Sequence, residues 1–97
     1  MPVPASNATV TRDGEALRFA GPLLRAQVPG LWRQALPQLG GVRRFDLGAV
    51  EGVDSAGVAL LAELAARAGD VAIVGAPPGY DALRAAYRLS PALAFAT

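Results

Sequence analysis

At 97 residues the chain is long enough for one domain with its own core and too short for two. It has no Cys or His and all nine basic residues are Arg, which removes disulfides, zinc and most transition-metal sites, Ser-His, Cys-His and Ser-Lys catalysis, Schiff bases and the GKS/GKT phosphate loop. A net charge of +1 with 6% aromatic residues leaves no broad footprint for nucleic acid, and no apolar run approaches the ~20 residues of a membrane span.

The N-terminus carries Pro2 and Pro4 and no basic residue before Arg12, so it lacks the charged and apolar regions of a secretory signal. A cytoplasmic protein is expected, with residues 1–7 flexible. Thr9 to Arg12, Asp13-Gly14 and Glu15 to Phe19 read as a β-hairpin, because Asp-Gly supplies a positive-φ turn and Leu17 and Phe19 alternate with polar neighbours. After Gly21-Pro22, the apolar positions Leu24, Val28, Leu31 and Ala35 approach helical spacing, but Pro29-Gly30 interrupts them. An irregular entry and a regular helix from about Pro29 follow, ended by Pro37 and Gly40-Gly41.

Val42 to Leu47 is a strand, with Phe45 and Leu47 on one face and Arg44 and Asp46 on the other. Ala56 to Ala68 places Val58, Leu61, Leu64, Ala65 and Ala68 on one helical stripe that can cover a sheet, and Gly69 closes it. Val71 to Val74, wholly apolar between Asp70 and Gly75, fits an interior strand. Pro77-Pro78-Gly79 is a turn. Asp81 to Leu89 is the last helix, with Tyr80, Leu83 and Tyr87 spaced to share a face, stopped by Ser90-Pro91 before a short apolar tail, Ala92 to Thr97. The order β-β-α-β-α-β-α gives an α/β fold, a small mixed sheet with helices packed against it, and the crossover between 42 and 74 is expected to be right-handed.

For catalysis only carboxylates remain. Asp13, Glu15, Asp46, Glu51, Asp54, Glu63, Asp70 and Asp81 are scattered, and each reads more simply as a cap, turn or solvated charge than as half of an acid/base pair. No enzyme, metal or cofactor is expected.

The informative stretch is Asp46 to Leu61, where Asp54-Ser55 stands between a strand-like run and a helix. Asp and Ser accept from the unpaired N–H groups of a first helical turn, so the pair can be a cap, an anion site or a regulatory hydroxyl. Asp46-Leu47 followed by Val53-Asp54-Ser55-Ala56-Gly57-Val58 resembles the STAS domain, the family of anti-sigma-factor antagonists and transporter-associated modules. In its signalling members the phosphorylated hydroxyl immediately precedes the Gly. Here that position is Ala56, which has no oxygen to phosphorylate.

The loop is similar to that of the MlaB-type branch, as are Val28-Pro29-Gly30-Leu31-Trp32, Gly75 to Tyr80 and Leu83 to Pro91. The resemblance implies a single STAS domain over 1–97. It further implies a non-catalytic subunit that binds and supports the ATPase of an Mla-type ABC phospholipid transporter, at the inner membrane through its complex and without direct membrane insertion. It makes Ser55 the functional hydroxyl, with Asp54 and Gly57 as structural neighbours. The alternative is a signalling module, an antagonist phosphorylated at Ser55.

The residues around the loop allow a partner surface. Opposite the buried stripe, Ala59, Ala62 and Ala66 lie beside an i, i+4 pair, Glu63 and Arg67, and Tyr80, Arg84 and Tyr87 are residue types enriched at binding hot spots. The plainer explanations are an Ala-rich, Arg-for-Lys composition for the alanines and core packing for the tyrosines. Capping is the plainer explanation for Asp54 and Ser55, a bond to loop backbone for Asp46, and packing for Trp32.

Overall fold

Asp13-Gly14 does turn the chain. In a computed structural model describing residues 8–69 and 71–87, Gly14 has φ 58°, and β1 (Thr9–Asp13) lies antiparallel to β2 (Ala16–Leu23) with Val10 opposite Phe19. The expectations for residues 1–7, Asp70, the helix end at Leu89, the Ser90-Pro91 stop and the tail lie outside the described residues. β2 continues past Phe19, where the hairpin strand was expected to end, through Gly21-Pro22 to Leu23. Among the described residues its pairing with β1 ends at Ala20, so Pro22 lies where no described residue pairs that flank of β2 and a missing N–H is tolerated.

β3 (Arg44–Val53) runs parallel to β2, and β4 (Ala72–Val74) parallel to β3, in the sheet order β1-β2-β3-β4. β3 outruns the segment that alternation marks because a bulge hides the continuation. Arg18 pairs with Asp46 but Ala20 with Ala49, so the buried positions step from Phe45 and Leu47 to Val50. Asp46 is thus inside the strand rather than at its end, and its Oδ1 accepts from the Gly48 N–H at 2.8 Å, the backbone bond expected of it. β4 is an edge strand of the described sheet, not an interior one. Val71 before it is buried, while Val74 is 45% exposed; so short an apolar run does not distinguish the two positions.

α1 (Val28–Ala35) is flanked by 3-10 turns at Arg25–Gln27 and Leu36–Gln38, with Pro29 in its first turn, as the Pro spacing requires. α2 (Ser55–Ala68) ends at Gly69, φ 95°, and α3 (Tyr80–Ala86) follows the Pro77 to Gly79 turn. The three helices pack on one face of the sheet, giving the β-β-α-β-α-β-α order. Leu17, Phe19, Phe45 and Leu47 from the strands meet Leu31 of α1 and Val58, Leu61 and Leu64 of α2 in one core. The Phe19 and Phe45 rings pack edge to face, 5.4 Å between centroids. On the opposite face Arg18 reaches Asp13 at 3.2 Å and Asp46 at 3.5 Å, exposed pairs of small energetic weight.

Candidate functional site

The sheet delivers the Asp-Ser loop to one end of the fold. Leu23 and Val53 close β2 and β3 side by side, and the Asp54 N–H donates to the Leu23 carbonyl at 3.3 Å. Asp54 is then the N-cap of α2: its Oδ1 accepts from the Gly57 N–H at 2.9 Å, and its Oδ2 from the Arg25 N–H, also at 2.9 Å. Partial burial pushes this carboxyl up, but the N–H donors of Gly57, Arg25 and Ala56 outweigh it and hold the group below the ordinary aspartate value. One carboxylate therefore ties the start of α2 to the turn that leaves β2.

The structure separates the two members of the pair. Asp54 does the capping. Ser55 is the first residue of the helix, exposed, and its hydroxyl makes no hydrogen bond with the described residues. Gly57 is buried and faces the Leu23 carbonyl, where no side chain fits.

Along α2, Ser55, Ala59, Glu63 and Ala66 are exposed and recur every three or four residues, one continuous strip with Arg67 beside its far end. Ala62, expected on this strip, is 7% exposed and belongs to the core. Its helix has the sheet beneath it and α1 and α3 in contact with it, so more than a single stripe is covered and Leu60 is buried too. Nor do Glu63 and Arg67 form the expected ion pair. The Arg67 guanidinium instead lies over the Trp32 ring of α1, 5.0 Å from its centroid, which leaves Trp32 packed against the core yet partly exposed.

The residues from α3 divide. Tyr80 is 3% exposed and part of the core, so it is not a surface anchor, and core packing is the correct reading of it. Burial pushes its phenol up, with Arg84 opposing and Asp81 adding to the effect. Arg84 is half-buried, with Nε 3.8 Å from Asp81 Oδ1. Tyr87, 42% exposed, has left the Tyr80–Leu83 face because α3 stops at Ala86. The Tyr80 hydroxyl is buried with no partner among the described residues. Tyr80→Phe should therefore keep the fold and melt at or above the parent temperature, a gain of up to about 1 kcal/mol. A fall of that size in thermal unfolding would show that the hydroxyl has a partner.

Sequence reasoning missed Leu24 and Arg25. Both are exposed, and the Arg25–Asp54 bond sets them beside Ser55. Their only trace in the sequence is the irregular approach to Pro29-Gly30, which marks a loop without saying where it lies. Among the described residues no group of three His, Cys, Asp or Glu could hold a metal ion, and no helix is long and apolar enough to cross a membrane.

A family model described as "Mlab, STAS domain" matches residues 8–93, a span that includes the Asp54-Ser55 loop, all of α2 and all of α3. No curated protein matches the chain. With the match running over most of its length and the sheet, cap and helix order in place, this chain belongs to the MlaB-type STAS domain family.

Proposed function

We propose that the chain is a non-catalytic STAS subunit that binds and supports the ATPase of an Mla-type ABC phospholipid transporter, which maintains outer-membrane lipid asymmetry. It sits in the cytoplasm and meets the inner membrane only through that complex. The observation that carries this reading is the division of labour at the loop: Asp54 caps the helix start with one oxygen and holds the Arg25 N–H with the other, leaving the Ser55 hydroxyl exposed and without a bond to the described residues. A hydroxyl not needed for the cap is available to a partner. It heads a strip whose middle, Ala59 to Ala66, lacks large side chains apart from Glu63, so another backbone can approach closely, with charge confined to few positions. Membership of the MlaB-type family supports the identity of that partner.

Pull-down of the tagged chain from its native membranes should recover an ABC ATPase. Recovery of a kinase-like anti-sigma factor, together with a phosphorylated fraction at Ser55 in the intact mass, would favour the signalling alternative instead. Ser55→Asn is expected to leave stability within about 0.5 kcal/mol, since the cap is Asp54. The same change should weaken ATPase binding by about tenfold, the loss typical of a contact at the centre of an interface. A variant that binds like the parent in titration calorimetry would remove Ser55 from the surface.

A further inference from the structure

The turn that leaves β2 forms a second half of the Ser55 surface. Leu24 is 40% exposed, one of four large apolar side chains so exposed among the described residues, and Arg25 beside it is exposed as well. The Gln27 N–H donates to the Leu24 carbonyl at 2.8 Å and the Arg25 N–H to Asp54 Oδ2 at 2.9 Å. The backbone beneath Leu24 and Arg25 is thus fixed to the same carboxylate that caps α2, and little ordering entropy remains to be lost there on binding.

The charges on this surface are unequal in their availability. Both Asp54 oxygens are engaged by backbone N–H groups, and Arg67 at the other end of α2 lies on Trp32. The Arg25 guanidinium has no ion-pair or hydrogen-bond partner among the described residues. Beside Ser55 the surface therefore offers one unclaimed cation, an exposed Leu and a free hydroxyl.

Resting on the ATPase reading above, we infer that Arg25 is a specificity-determining residue of this interface, and that the ATPase presents a carboxylate to it beside an apolar contact that covers Leu24. An unpaired arginine buried by a partner without an acid would be costly, so the pairing also rejects partners that lack one.

The test uses the full chain and the purified ATPase that the pull-down recovers, titrated at low and at physiological salt. Arg25→Glu should weaken binding by about tenfold or more and Arg25→Ala by about threefold, with a flatter salt dependence for both. Thermal unfolding should not change, because the side chain has no partner among the described residues to lose. Arg43→Glu is the control: it alters net charge equally but lies before β3, at the opposite end of that strand from Asp54, and should change affinity less than twofold. Equal weakening by Arg43→Glu and Arg25→Glu, or none by either, overturns the role of Arg25 while leaving the ATPase reading intact. A parent chain that fails to bind the ATPase overturns both.

Discussion

Gly57→Ala should destabilise the domain by about 3 kcal/mol, enough to lower its melting temperature by roughly 10–20 °C. A Cβ at this position would lie 2.0 Å from the Leu23 carbonyl oxygen and 2.9 Å from its carbon, well inside any real contact. The carbonyl cannot retreat, because it accepts the Asp54 N–H and ends a strand paired with β3 through Leu23 and Val53. The first turn of α2 must lift instead, which stretches both Asp54 bonds and moves Ser55. Alanine's better helix propensity returns only about 1 kcal/mol. Gly30→Ala in α1 shows the contrast: a Cβ there would point into open space, so the propensity gain should appear unopposed and raise the melting temperature. Calorimetry on the two variants decides the matter. Shifts of the same sign would mean that close approach to Leu23 is not what requires glycine at position 57.

This requirement shows where the sequence is informative and where it stops. The Asp-Gly turn, the period-two runs and the Val58, Leu61, Leu64 stripe each express their own local geometry, so the element order follows from them directly. Whether β4 is an edge depends on what pairs beside it, and whether Ala62 is exposed depends on the elements packed against α2. Neither is a local property. Asp54 and Ser55 illustrate the same limit at the site. Both can cap a helix, and only the placement of Leu23, Arg25 and Gly57 around them assigns the cap to Asp54 and frees the hydroxyl. A bulge between Asp46 and Ala49 concealed the second half of β3 for a related reason: one extra residue shifts the alternation, and the pattern then looks like a loop.

Asp54→Ala should cost about 2 kcal/mol near neutral pH, the upper end for loss of an N-cap, because the part-buried Gly57 N–H and the exposed Arg25 N–H lose their acceptor at once. The carboxylate also faces the positive end of α2, which favours its charged form. Its folded-state pKa is depressed below the ordinary 3.8, so the folded chain binds fewer protons at this group than the unfolded chain does in mild acid. The stability it contributes is therefore fully present above that value and is lost as pH falls through the lower folded value. Denaturant unfolding of parent and Asp54→Ala should give a constant gap from about pH 5 to 8 that narrows below about pH 4. Asp54→Asn separates charge from shape. Its amide has one acceptor where the carboxylate has two, so it can serve the Gly57 N–H or the Arg25 N–H while its own N–H groups oppose the other. A loss of about 1 kcal/mol relative to the parent, within the capping range, is expected at neutral pH. The Asn and Ala variants should differ by the same amount at every pH. If Asn matches the parent at pH 7, the bond to Arg25 is dispensable, and the turn carrying Leu24 and Arg25 is held by the sheet rather than by Asp54.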